Sequence, residues 1–328
     1  MEHWQIAAPI TPLLHNSITP MKVGGHNIEI SHKDKVFFPK SKITKGEVID
    51  YFRRVARAML PHVRDRPLAM RRHPDGIKGE GFFQKDVPDY FPRWITRVTT
   101  PRKEGGKIDN VVCNDAATLV YLANQACITP HVWLSRRYKL EYPDQLIFDL
   151  DPPAKKFQLV RFAAKALHEF FDKLGLPSFV KTTGSRGLHV TVPLDRKQNF
   201  DSVREFAQDV ARVLAHRHPK RLTVEPRKNK RRGRLFLDTG RNSYAQHAVA
   251  PYAVRAIEGA PIATPLSWDE IGDSKLDAQR FNIKNIFQRL SRKSDPWKKL
   301  RRSARSLKAA RKKLDGIIKR AEPNLSTT

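Results

Sequence analysis

Acidic residues are scarce in this sequence: 33 Asp and Glu stand against 62 Lys and Arg over 328 residues, a formal net charge of +29. A deficit on that scale argues for a polyanionic partner, nucleic acid being the commonest and an anionic membrane surface the weaker alternative. Cysteine is nearly absent. Cys113 and Cys127 are too few and too far apart for a disulfide framework or a zinc site, so both are read as reduced, packed thiols. Long apolar runs are missing too. Nothing approaches the roughly 18 residues of a spanning helix, and His3, Pro9 and Pro12 interrupt any signal-peptide core between Met1 and Pro20. The expectation is a soluble, cytoplasmic chain with no membrane partner. There is no internal repeat and no low-complexity linker long enough to separate independent domains, and 40% hydrophobic residues suffice for one large core or two moderate ones.

What is present centres on Gln145-Leu146-Ile147-Phe148-Asp149-Leu150-Asp151-Pro152-Pro153, an apolar strand that ends in two acids and is stopped by two prolines. Side chains alternate along a strand, so Leu146, Phe148 and Leu150 share one face while Ile147, Asp149 and Asp151 share the other. Two carboxylates on one face repel unless a cation lies between them. A divalent metal serving phosphate chemistry is the reading this motif supports. Leu235-Phe236-Leu237-Asp238 is a second apolar strand ending in an acid. Alone, Asp238 would be a turn former. As a third carboxylate it completes a set able to hold two cations with positions open for phosphate oxygens.

Other elements can be placed around these strands. Asn27 to Ile30 alternates as a short strand after an arm covering residues 1–22, and Thr44 with Glu47 makes a capping box for an amphipathic helix running to Pro61. Lys35 and Lys45 flank its entrance, either as solvated lysines or as a phosphate clamp at a helix N-terminus. Phe82 and Phe83 sit on a strand whose alternation predicts one core and one exposed ring, the exposed one able to stack on a base. Arg97 to Val112 reads as a hairpin turned by Gly105-Gly106, and Asn114 to Cys127 as a helix. Leu159 to Leu174, closed by Gly175, and Ser202 to His216 are amphipathic helices. Between them lies Thr183-Gly184-Ser185-Arg186-Gly187-Leu188-His189, a tight basic turn that can offer N–H groups to phosphate, followed by a histidine that is either structural or an anion contact. The segment from Lys284 to Arg320 is basic and helical in propensity, either a solvated face or a surface for a duplex.

In combination, Asp149-x-Asp151, the Thr183 to His189 stretch, and Asp238 followed by Arg241-Asn242 resemble the polymerase module of bacterial multifunctional DNA ligase D, in the archaeo-eukaryotic primase superfamily. Supporting matches are Asp34-Lys35-Val36-Phe37-Phe38-Pro39 and Pro251-Tyr252, and the resemblance spans about Val23 to Leu300. It implies an α/β fold with mixed sheets: a primase-like core of two packed modules, about 23–140 and 141–300, the second RRM-like and catalytic, with a basic helical tail over 301–328. It further implies a nucleotidyltransferase in which Asp149, Asp151 and Asp238 hold two ions, Mn2+ or Mg2+, for an NTP or dNTP substrate. Arg71, Thr183, Arg186, His189 and Arg255 match contacts to the triphosphate, and His131 and Arg241 match other contacts to the incoming nucleotide. Lys35 and Lys45 match lysines that hold the 5'-phosphate across a DNA gap, and Phe82 or Phe83 matches aromatics that pack on the template. Gapped or broken DNA is the implied partner, with Ku and a separate DNA ligase beside it in a bacterial, nucleoid-associated setting. The loop Pro101 to Lys107 lies where related modules carry a surface hairpin that brings DNA ends together.

Two positions depart from the family pattern: Thr183 replaces a serine but keeps the hydroxyl, and Thr239 replaces an aromatic after the third acid. Lys313-Leu314-Asp315-Gly316 spells a ligase nucleotidyl-lysine motif but is read as chance, in a basic tail with only about a dozen residues following. Two alternatives remain at this stage. One is a DNA-end-binding module without chemistry. The other is a haloacid-dehalogenase-like phosphatase, suggested by Asp149-x-Asp151 and Gly272-Asp273 to Asp277 but opposed by Pro153 and by Ser267 to Glu270, which reads as a helix start.

Overall fold

The computed structural model describes residues 18–101, 105–153 and 156–321. Two hydrophobic cores organise them. The first lies under a mixed-length antiparallel sheet ordered His247–Val249, Cys127–Trp133, Pro67–Arg72, Lys107–Val112, Arg97–Pro101, with the short strand Phe82–Gln84 pairing along the outer half of Pro67–Arg72. Helices Lys45–Val63 and Ala116–Asn124 pack on it. The capping box forms as the sequence requires: Thr44 Oγ1 accepts from Glu47 N at 3.2 Å, and Glu47 accepts from Thr44 N at 2.7 Å. Val48, Phe52, Val55 and Met59 then fall on one buried stripe.

The second core backs a four-stranded antiparallel sheet ordered Gln145–Leu150, Leu188–Pro193, Phe179–Thr182, Pro265–Leu266. Its register lines Phe148, Val190, Val180 and Leu266 in one row that faces helices Phe157–Leu174, Phe200–Arg217 and Leu307–Ala321. The opposite face is therefore free for polar side chains. The mixed α/β architecture agrees with the fold expected from the sequence.

A buried ion cluster ties the end of the first helix to the start of the acidic strand. Arg66, with no exposed surface, donates to the Asp144 carboxylate at 2.6 Å and to the carbonyls of His62 and Trp133, while Arg136 donates to the other Asp144 oxygen at 2.7 Å. Burial lowers the Arg66 pKa to about 10 against the pull of Asp144, and the two arginines hold the Asp144 carboxyl below its usual range despite its burial.

Several expectations need correction. Residues 1–17 lie outside the described residues, but Thr19–Val23 is a strand paired with His26–Ile30, so the last part of the predicted arm belongs to the fold. The second helix stops at Asn124, because Ala126 takes a left-handed φ of 58° and Cys127 opens a strand. Phe82 and Phe83 are both exposed, at 44% and 48%, because their three-residue strand lies at the margin of the sheet, where polar rings and arginines rather than the core flank them. The hairpin Arg97–Pro101/Lys107–Val112 forms; of its loop, residues 102–104 lie outside the described residues. The basic segment Lys284 to Arg320 is broken into Ile286–Arg292, a short turn Arg301–Ser303 and Leu307–Ala321; in the last helix Leu307, Ala310 and Leu314 dock on the second core and Arg311 pairs with Asp209. The ligase-like tetrapeptide is one turn of that helix.

Candidate active site

The polar face of the second sheet carries one cross-strand row. Asp149 registers opposite His189, and His189 opposite Lys181. On the other flank, Asp149 N donates to the Asp238 carbonyl at 2.9 Å in an isolated antiparallel bridge. Registered partners point to the same side of a sheet. The order along the row is thus Asp238, Asp149, His189, Lys181. Asn242, fully buried, holds the acidic strand in place by accepting from Ile147 N and donating to Ile147 O, both at 2.8 Å.

The charges of the row are already partnered in part. Arg241 reaches one Asp149 oxygen at 3.3 Å, and His189 Nε2 lies 3.4 Å from the other. Burial pushes the Asp149 carboxyl up, but His189 and Arg241 pull it well below the ordinary carboxylate range. Asp238 moves the other way: burial and the neighbouring Asp149 raise it, despite a 2.7 Å hydrogen bond from Gly240 N. Asp151, two residues along the strand, is turned to Arg186 at 2.8 Å. Among the described residues no group of three or more His, Cys, Asp or Glu side chains is gathered closely enough to hold a metal ion. The donor chemistry nevertheless suits a hard divalent cation: Asp149 and Asp238 are held side by side, Asp238 feels the charge of Asp149, and the Asp151 carboxylate lies two residues farther along.

The basic turn is shaped by two glycines. Gly184 has φ +66°, and a Cβ there would meet Arg255 Cγ at 2.7 Å; at Gly187 a Cβ would collide with the Leu150 carbonyl oxygen. Thr183 Oγ1 accepts from Ser185 N at 3.3 Å and Gly187 N at 3.1 Å, so the hydroxyl that replaces serine fixes the loop. Arg255, half-buried beside Gly184, has its pKa lowered by burial against the pull of Asp149 and Asp151. Thr183, Arg186, His189, Arg241 and Arg255 are therefore brought around the acids.

The nucleotide and template candidates on the other sheet form a ring cluster. Phe83 lies 5.2 Å from His131 and 5.4 Å from His247, which are themselves 5.2 Å apart, and Arg71 lies over the Phe83 ring at 5.1 Å. Arg72 covers Phe82 in the same way at 5.7 Å. Lys35 and Lys45 part company: Lys35 pairs with Asp75 at the surface at 2.7 Å, whereas Lys45 is buried, donates to the Ser31 carbonyl at 2.6 Å and has its pKa lowered to about 8 by burial and by Lys35. Sequence reasoning missed His247 and Lys181. His247 is recognisable only through its pairing with the strand that holds His131, and Lys181 only through its register opposite His189.

Three histidines of the site are held neutral. Burial lowers His131 well below its ordinary value, and it lowers His189 and His247 to about 4, with nearby cations adding to the shift. Unfolding frees each ring to take a proton at its ordinary pKa near 6.5. Their contribution is present above that value and is lost as pH falls from about 6.5 toward 4; the raised Asp238 opposes it weakly. The melting temperature should accordingly fall between pH 7.5 and pH 5. An equal or higher value at pH 5 would mean that these rings are charged in the folded chain.

Comparison with known proteins bears on the same residues. The family model "LigD, primase-polymerase domain" matches residues 44–297. The multifunctional non-homologous end joining protein LigD of Pseudomonas aeruginosa is 34% identical over 273 residues, covering 82% of this chain and 32% of that protein. The bifunctional LigD of Bacillus subtilis is 30% identical over 272 residues, covering 82% and 43%. The chain thus spans less than half of the length of these relatives. Among solved structures, the polymerase domain of Mycobacterium tuberculosis ligase D in complex with DNA superposes with a TM-score of 0.80 at 28% identity, covering 85% of this chain and 99% of that one.

Proposed function

We propose, from the premise that this chain belongs to the LigD primase-polymerase domain family, that it is a template-directed nucleotidyltransferase that lengthens a primer 3'-hydroxyl at gapped or broken DNA ends. The observation that carries this reading is the row Asp238, Asp149, His189 with the basic turn and Arg255 beside it: acids and phosphate-binding groups share one sheet face. Family membership sets the phosphatase alternative aside, and Ser267 with Glu270 does form the capping box of a short helix.

Asp149, Asp151 and Asp238 would hold the divalent ions. Two such ions, Mn2+ or Mg2+, supply activation of the attacking hydroxyl and neutralise charge developing on the phosphates. The chain's own cations then orient the nucleotide. Arg186, released from Asp151, Arg255 behind the turn and Arg71 bind the triphosphate, and fixed positive groups in a partly buried site stabilise developing charge better than solvent does. Neutral His131 and Arg241 contact the rest of the incoming nucleotide. Exposed Phe82 and Phe83 offer stacking faces to the template. Ku and a separate DNA ligase fit as partners that hold ends and seal the filled gap.

Lys35 is the surface ammonium of the proposed 5'-phosphate site, with Lys45 shaping the helix entrance beneath it. Lys35→Ala should weaken binding to a 5'-phosphorylated gap and reduce the salt slope of log affinity by about 1, since each phosphate contact contributes roughly 0.9. Fluorescence anisotropy across a salt series checks it, and an unchanged slope would remove Lys35 from the interface.

A further inference from the structure

We propose that Lys181 is a direct ligand of the nucleotide's phosphate tail, a contact additional to the arginines and the basic turn. The inference rests on the nucleotidyltransferase reading and deepens it. Lys181 is 1% exposed, yet its Nζ has no hydrogen-bond partner. A buried ammonium left unpaired costs several kcal/mol, and burial with the neighbouring arginines lowers the Lys181 pKa to about 7, so the amine sheds its proton readily until an anion stabilises the charged form. Arg255 and Arg241 both act on Lys181 with the same sign, and Asp149 is the one carboxylate that opposes them. Asp149 does not partner it: one carboxylate oxygen is turned to Arg241 and the other to His189, and neither is hydrogen-bonded to Lys181. Around Lys181 the cationic groups thus outnumber the carboxylate that faces them, and among the described residues its amine keeps no hydrogen-bond partner.

An anion with several charges resolves that imbalance, and the position of Lys181 says which one. Its strand, Phe179–Thr182, runs directly into the Thr183 to Gly187 turn. Its neighbours are committed elsewhere: Val180 lies in the core, and Thr182 Oγ1 is bonded to Ile262 O and Thr264 N. Lys181 and Asp149 are two strand spacings apart across the row, about 10 Å. A phosphate chain whose reacting end lies at the acids has its far end above Lys181. A structural lysine at such a depth would instead be bonded to a carbonyl or a carboxylate.

The test combines two readouts on the full chain. Isothermal titration with GTP and with GMP in Mn2+ compares wild type with Lys181→Met, with Lys181→Gln as the second variant, and each preparation is also melted without nucleotide. GTP affinity should fall by about tenfold or more in both variants, GMP affinity by less than about twofold. The nucleotide-free Met variant should melt at or above the wild-type temperature, because an apolar side chain of similar length replaces a buried amine that has no hydrogen-bond partner. Unchanged GTP affinity in a folded variant would overturn the inference, as would equal loss of GTP and GMP. A wild-type chain that binds GTP no better than GMP would overturn the polymerase reading itself.

Discussion

Asp149→Asn should abolish nucleotide addition, by about a thousandfold or more, while the melting temperature changes by only a few degrees. The amide keeps the shape of the carboxylate and removes its charge, so the strand and its bridge to Asp238, made by backbone atoms, should persist. What is lost is one of the hard anionic oxygens proposed to hold the metal pair, a term of several kcal/mol in the transition state, and each 1.4 kcal/mol is tenfold in rate. Arg241, its partner, is partly exposed and can turn to water. A secondary effect follows from the pairing: Asp238, raised partly by Asp149, should titrate closer to its ordinary value in the variant. Primer extension and thermal melting of the same preparation decide the matter. Retained extension in a folded variant would remove Asp149 from the chemistry.

The largest expected effect on stability lies away from the acids. Asp144→Ala should cost about 3–5 kcal/mol, because it leaves Arg66, fully buried, and Arg136, nearly so, with no carboxylate between them. For a chain of this size that corresponds to a fall of roughly 10 °C in melting temperature. Asp144→Asn, which keeps an acceptor but loses the charge, should fall by less. The cluster joins the first helix to the residue just before the acidic strand, so weakened extension should accompany weakened folding. A shift below about 2 °C for the alanine variant would show that Arg66 finds another partner or reaches water.

The sequence made the acidic strand legible because its alternation is unbroken and its end is marked by two prolines; the structure places Leu146, Phe148 and Leu150 in the core as that pattern requires. The helix at Thr44 was equally plain, since a capping box is a local signal. Other features depend on register and were hidden. Lys181 looks like one residue in a short strand until His189 is known to lie opposite it. The Arg66, Asp144 and Arg136 cluster joins residues 78 and 8 positions apart, with nothing in the local pattern to announce it. Phe82 and Phe83 misled because alternation assumes that one face of a strand is covered by core, and their short marginal strand meets only polar rings and arginines. At Ala126 a residue other than glycine takes the left-handed turn, so the helix end carried no glycine to mark it. The C-terminal helix was legible as basic and helical, but its stripe of Leu307, Ala310 and Leu314 decides its place against the core.

The most direct measurement is single-nucleotide addition by the full chain to a primer across a short gap with a 5'-phosphate, in Mn2+, offering each of the four ribo- and deoxyribonucleotides in turn. The expected result is addition of the nucleotide complementary to the template and of no other, lost in Asp149→Asn. Well-folded protein that binds the gap and adds nothing would contradict the polymerase assignment and leave a DNA-end-binding module.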